Sequence, residues 1–425
     1  MRYAITGATV EQVKGVGGTD IKEARSTGII FATLNQEQIA RLRSLGCRVD
    51  QIGKVQATVM PPIVAPPVPV AAAPVYTPEE LAEIVGAEDL RSLMTPVLYG
   101  EGFNLAIIDT GIRETHEKIR GRVVYSKNYT TDPMRDGFNH GTGVCSIALT
   151  VAPLCNILNL KVLNDKGEGT EEDVVLAIDD CIDFYDTRPE IAPSVINLSL
   201  GAPDDGNTNS VLRVVCRAAI EKGIWVIASA GNGGAPMTIT SPACERYVGA
   251  VGSAKYILEE SSFVISSFSS RGPTLEGFTK PDVVMFGEDI IMASSESDTA
   301  TIAKSGTSFS TPFISGSSIL YQEGWMRAPV RYPYSVWGYY PELQELPGID
   351  TLIDRYLEQV SAKPQGAPSG KDNEYGYGII LGSLVAQALG AAPAVGISDA
   401  LSILTPLMAI GMMGMMMGSM AKGTR

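Results

Sequence analysis

Ser305-Gly306-Thr307-Ser308-Phe309-Ser310-Thr311-Pro312 sets a serine at a glycine-flanked turn, immediately ahead of a run of apolar and small residues that reads as a helix. A nucleophile could stand at such a turn. A serine hydroxyl attacks poorly at its free pKa, so Ser308 carries chemistry only if a base and an orienting carboxylate occur elsewhere in the chain.

Upstream, Asn104-Leu105-Ala106-Ile107-Ile108-Asp109-Thr110-Gly111 is an apolar, β-branched run ending in a carboxylate, the pattern of a buried strand with Asp109 at its C-terminal lip. Open parallel sheets place their chemistry at that lip. Asn139-His140-Gly141-Thr142-Gly143-Val144-Cys145 sets a histidine before small residues suited to a helix packed closely on a sheet, which makes His140 the candidate general base. The chain has two histidines, and the other, His116, lies in the polar stretch Arg113 to Lys118, where it reads as structural or solvated. Acyl transfer also needs donors aimed at the developing oxyanion. Ile224 to Gly234 reads as a second buried strand ending in Asn232 among glycines, where a side-chain amide can project into a cleft. Each segment alone is ordinary strand-end turn chemistry. Together they give the order Asp, His, Asn, Ser along one chain.

That set resembles the subtilases, the subtilisin-like serine proteases, whose chain order is Asp, His, Ser. The resemblance covers Ala106 to Ile112, His140-Gly141-Thr142, Leu158 to Leu163, Val195 to Gly201, Ala230-Gly231-Asn232, Phe268 to Pro273, Lys280-Pro281-Asp282-Val283 and Gly306-Thr307-Ser308, and it closes at Glu374 to Gly378. It implies an α/β, doubly wound, mostly parallel sheet and a serine endopeptidase working through an acyl-enzyme. Asp109 would orient, His140 would act as acid and base, and Ser308 would attack. Asn232 and the Ser308 backbone N–H would hold the oxyanion. Phe309-Ser310 stands where the family has Met-Ala, and Met285-Phe286-Gly287 where it has Ala-Pro-Gly; both read as packing variants.

The resemblance also assigns the cleft. Gly167, Glu168 and Gly169 with Ser199, Leu200 and Gly201 would be the two extended edges between which a peptide adds as a strand. Ser229, Ala230 and Gly231 would wall the pocket for the residue before the scissile bond, with room for a large apolar group. The acids Glu168, Glu171, Glu172 and Asp173 beside the first edge read either as a preference for basic residues or, more simply, as the capped first turn of a helix opened by Thr170. No cofactor is required, and calcium could bind at a site the sequence does not identify. The family's usual calcium site is expected to be missing, because Lys118 stands where a carboxylate is needed and Cys145 to Ala152 leaves no room for a ligand loop.

A net charge of -14 and a pI near 4.8 argue against nucleic-acid and anionic-membrane partners. The six cysteines show no metal-type spacing and read as free core thiols. The N-terminus has no basic segment leading into an apolar stretch and cleavage site, which favours a cytoplasmic or virion-associated protein.

Four regions follow. Residues 1–58 alternate strand and helix signals, with strands expected at Arg2 to Thr6, Thr27 to Thr33 and Cys47 to Ala57, and an Asn35-capped helix. They resemble the α+β, ferredoxin-like propeptide that serves subtilases as folding aid and inhibitor. Residues 59–76 form a proline-rich linker holding the expected self-processing site. Residues 77–390 form the catalytic domain. Residues 391–425 form an apolar, methionine-rich tail that could contact a membrane. The partners expected are a peptide or protein substrate and the chain's own propeptide. The rival reading is a noncatalytic subtilase-fold binding protein that uses the aromatic stretch Trp325 to Pro341 and the tail.

Overall fold

The structure, a computed structural model, describes residues 1–59, 76–87, 97–257, 262–327 and 361–382. The proline-rich stretch Pro61 to Pro74 and the methionine-rich tail lie outside the described residues, as does the aromatic segment beyond the helical backbone at its start. Among the described residues no helix is long and apolar enough to cross a membrane.

Residues 2–51 build a β-α-β-β-α-β unit: β1 (Arg2–Thr6), α1 (Val10–Gly15), β2 (Thr19–Ala24), β3 (Ile29–Thr33), α2 (Gln36–Ser44) and β4 (Arg48–Gln51). The antiparallel sheet has the order β2-β3-β1-β4. Both helices open on capping boxes, Thr9 with Gln12 and Asn35 with Gln38, each satisfying backbone donors that the first turn leaves free. The period-two alternation of a strand then sorts the apolar residues. Ile30 and Ala32 face the unit's own helices, while Ile29 and Phe31 face outward into a core shared with the rest of the molecule.

The expected single strand from Cys47 to Ala57 is two. The chain breaks at Ile52-Gly53, and β5 (Lys54–Ala57) leaves the first sheet to lie between β9 (Glu168–Thr170) and β11 (Leu200–Gly201), antiparallel to both. Hydrophobic pattern alone does not mark such a change of sheet.

Thr77 caps α3 (Pro78–Ile84), and β6 (Asn104–Asp109), β7 (Val123–Asn128), α4 (Gly141–Val151), β8 (Asn156–Lys161), α5 (Glu171–Thr187), β10 (Val195–Leu198), α6 (Val211–Glu221) and β12 (Trp225–Ser229) follow. The chain continues through β13 (Gly249–Ile257), β14 (Ser262–Ile265), β15 (Val283–Phe286), the hairpin β16 (Ile290–Ala293) and β17 (Thr301–Lys304), and α7 (Thr307–Arg327) to β18 (Ser361–Ala362) and β19 (Ile379–Ile380). The ten-stranded sheet runs β18-β19-β15-β13-β12-β10-β6-β8-β7 with β14 beside β13, and every pair from β19 to β7 along that path is parallel.

Both faces are covered, as a parallel sheet requires. Leu105 and Ile107 of β6 face the core shared with α4 and α7, while Ala106 and Ile108 face α5 and α6. Strand order reverses at β6, whose neighbours are β8 on one side and β10 on the other. That reversal opens a crevice at the C-terminal lip.

Candidate active site

Asp109 ends β6 at the crevice, and His140 is the cap residue of α4, with no side-chain bond of its own to the helix start. The two meet there: His140 Nδ1 lies 2.7 Å from Asp109 Oδ1, which also accepts the Thr110 N–H at 2.6 Å. A carboxylate on Nδ1 fixes the ring and favours the tautomer that carries its proton on that nitrogen. Among the described residues, the buried His140 Nε2 has no hydrogen-bond partner. Phe309 packs on the ring, with centroids 5.3 Å apart.

Asp136 holds this arrangement together. Its buried carboxylate accepts from the N–H of His140 at 3.0 Å, the N–H of Thr142 at 2.9 Å and the Thr110 hydroxyl at 2.8 Å. The Thr110 hydroxyl in turn accepts the Gly141 N–H at 2.9 Å. Asp136 therefore caps α4 in place of His140 and pins the lip of β6 to the start of that helix, an arrangement in which an anion also complements the helix dipole. This residue was missed in the reading of the sequence. Its signal is a carboxylate four residues before the histidine, just ahead of a helix start.

Ser308 lies in the first turn of α7, where backbone N–H groups have no intrahelical partner. Asn232 follows β12, and its Oδ1 accepts both the N–H and the hydroxyl of Thr307 at 3.0 Å, turning Nδ2 into the crevice. There Nδ2 donates to the Thr58 carbonyl at 2.7 Å.

The crevice is filled by the chain's own residues 54–58. In register, Val55 faces Gly169 and Gln56 faces Glu168 on one edge, and Ala57 faces Leu200 on the other. The Ala57 N–H donates to Gly167 O at 2.9 Å. Thr58 follows with its carbonyl on Asn232 and its side chain on Ser229, the two hydroxyl oxygens 2.7 Å apart. Gly306 is required here: at φ +155°, a Cβ would come within 2.7 Å of the Thr58 carbonyl oxygen. The Ser308 hydroxyl is not on His140. It lies 2.8 Å from Thr58 O, 3.0 Å from Ser199 O and 2.6 Å from Thr58 Oγ1.

His116 is fully buried rather than solvated, with Nε2 at 3.0 Å from Ala300 O and Nδ1 accepting the Lys118 N–H at 3.2 Å, a structural role. The acids beside the first edge divide between two tasks. Thr170 caps α5 and accepts from the Asp173 N–H, whereas Glu171 accepts the Gly53 N–H at 2.7 Å and Glu172 pairs with Arg2 at 2.6 Å and Lys22 at 2.9 Å. Burial works to raise the Glu172 carboxyl, but its bonds to Arg2 and Lys22 outweigh that and hold it below its usual range. Glu171 is pushed up by burial. Lys118 pairs with Glu79 at 2.7 Å, and among the described residues no cluster of His, Cys, Asp or Glu is arranged to hold a metal ion.

A doubly wound sheet with these groups at its reversal is the architecture of a subtilase. The chain belongs to that family, which it matches over residues 100–378. It is 32% identical over 256 residues to serine protease AprX of Bacillus subtilis (strain 168), covering 52% of this chain and 57% of that protein. It is 31% identical over 222 residues to subtilisin-like protease 1 of Trichophyton tonsurans, covering 51% of this chain and 40% of that protein. The chain spans about half the length of the curated relatives it matches.

Proposed function

We propose that the protein is a serine endopeptidase that first cuts itself at Thr58–Val59, releasing residues 1–58 as a propeptide that stays bound as an inhibitor. The observation that carries this is the Thr58 carbonyl: it accepts from Asn232 Nδ2 at 2.7 Å at the end of a strand paired on both edges, with Ser308 Oγ beside it. A peptide added as a strand is held by main-chain bonds regardless of sequence, and one carbonyl then lies against the oxyanion donors.

In the reaction the Ser308 hydroxyl turns to His140 and gives its proton to Nε2 as Oγ attacks the Thr58 carbonyl carbon. Negative charge gathers on the carbonyl oxygen, where Asn232 Nδ2 and the Ser308 N–H receive it. Asp109 accepts the hydrogen bond from Nδ1 and stabilises the imidazolium. Collapse breaks the Thr58–Val59 bond, and the leaving amine takes the proton from Nε2. Water, deprotonated by the same nitrogen, then hydrolyses the Thr58 ester and restores Ser308. With the propeptide displaced, other peptides would occupy the same edges.

The test is intact mass and N-terminal sequencing of the purified chain beside Ser308→Ala. The expected result is a wild type beginning at Val59 and a full-length variant. If both stay full length and a serine-directed phosphonate leaves Ser308 unlabelled, the noncatalytic binding protein becomes the better reading.

A further inference from the structure

The hydroxyl groups around Ser308 form a chain of close contacts. Ser308 Oγ lies 2.8 Å from Thr58 O and 3.0 Å from Ser199 O, and with its single proton on either carbonyl the run takes one direction. In that arrangement Ser308 accepts at its 2.6 Å contact with Thr58 Oγ1, and Thr58 donates. With its own proton committed, Thr58 Oγ1 accepts at the 2.7 Å contact with Ser229, whose hydroxyl is the donor. The run is Ser229 to Thr58 to Ser308 to a carbonyl, all three side chains buried.

Two consequences follow for the nucleophile. Its hydroxyl is engaged by Thr58 and Ser199 rather than by His140 Nε2, which among the described residues is buried without a partner. One of its lone pairs, the group that must attack, is engaged by the Thr58 hydroxyl. Ser229 is what aims that hydroxyl. Its remaining acceptors, Leu198 O and Leu200 O, both lie at 3.4 Å, beyond the usual hydrogen-bond range, so the Thr58 contact is its main one.

We propose that Ser229 is a specificity-determining residue that reads a β-hydroxyl on the residue before the scissile bond. A threonine or serine there is docked firmly but holds Ser308 off His140, so it is cut slowly. This rests on the protease reading given above and adds a substrate class to it: peptides with a small hydroxyl residue at that position bind as inhibitors, and those with an apolar residue of similar size turn over faster. Thr58 would be the built-in case, keeping the N-terminal strand in the cleft.

The experiment follows self-cleavage of the full chain over time by intact mass. Thr58→Val keeps the shape of the side chain and removes the hydroxyl; Thr58→Ser keeps the hydroxyl; Ser229→Ala removes the residue that aims it. A hydrogen bond of ordinary strength corresponds to roughly a threefold to tenfold change in rate. The expected result is that Thr58→Val and Ser229→Ala each cleave faster by that factor and Thr58→Ser stays slow. The double variant Thr58→Val/Ser229→Ala should be no faster than either single one, since both remove the same contact. Thr58→Val cleaving no faster than wild type, while phosphonate labels Ser308, overturns this proposal alone. No cleavage by any chain together with no labelling of Ser308 overturns the protease reading and this proposal with it.

Discussion

At the scale of single residues the site depends on contacts in which one atom has one task. Asn232 Nδ2 is such an atom, because Oδ1 is already committed to Thr307 and fixes which end of the amide enters the crevice. On the proposed protease reading, Asn232→Ala is expected to lower kcat on a peptide substrate by about 10²–10³-fold with little change in KM, because loss of the proposed oxyanion donor leaves the strand edges intact. Steady-state kinetics checks it. Asp136 acts one step further out, as a positioning residue. Asp136→Asn would turn an amide N–H₂ toward donors that need an acceptor, so stability should fall by roughly 1–3 kcal/mol. Denaturant unfolding measures that loss. Activity should fall as well, with Asp136→Glu restoring part of it if the carboxylate's role is to hold His140 in place.

At the scale of elements the N-terminal unit is held by α5. Ile29 and Phe31 of β3 join the core to which the apolar residues of α5 belong, and Asp179 of the same helix accepts the N–H groups of Ser26 at 3.2 Å and Thr27 at 3.1 Å in the turn before that strand. Burial pushes the Asp179 carboxyl up, yet these donors keep it satisfied. In Asp179→Ala the Ser26 and Thr27 amides should lose hydrogen-exchange protection while those of Ile30 and Ala32, inside the unit's own sheet, keep theirs. Loss in both places would mean that the unit cannot hold its fold away from α5. The acids of α5 are the instructive case for sequence reading. Thr170 as a cap was legible because capping is local. The pairing of Glu172 with Arg2, 170 positions away, was not, because nothing in the neighbouring residues records it.

At the scale of the whole molecule, buried charge sets the response to acid. Lys280 donates to Val248 O at 2.7 Å and to Asp282 Oδ2 at 2.6 Å, and Lys371 reaches Asp282 Oδ1 at 2.9 Å, joining the start of β15 to the segment before β19. Burial works to raise the Asp282 carboxyl, and the two ammonium groups outweigh it, holding its pKa below the usual carboxylate value. A carboxylate depressed in the folded state contributes stability above its unfolded pKa and loses it as pH falls through the folded one. The thermal midpoint should therefore drop below about pH 4. Asp282→Asn should flatten that acid limb and cost about 3–5 kcal/mol near neutrality by leaving Lys280 buried and uncompensated. The cysteines behave as one set. All six are free and buried, and burial pushes the Cys155 and Cys244 thiols up to about 12. A thiol reagent should label none of them in the native chain and all six after denaturation. Rapid labelling of the native chain would show that the core opens.

The sequence by itself determined the parallel sheet, the helices on its two faces and the positions of Asp109, His140, Asn232 and Ser308, because strand ends, caps and small-residue turns are written locally. Burial on both faces of β6 needs an unbroken apolar run, and the chain has one. Only the tertiary structure decided that Gly53 marks a change of sheet and that Asp136 fixes the start of the histidine helix. It alone brought Thr58 to Ser229 and Ser308, 171 and 250 residues away along the chain. A hydrogen bond between distant residues depends on distances that the whole fold sets, and no local pattern of residues encodes them.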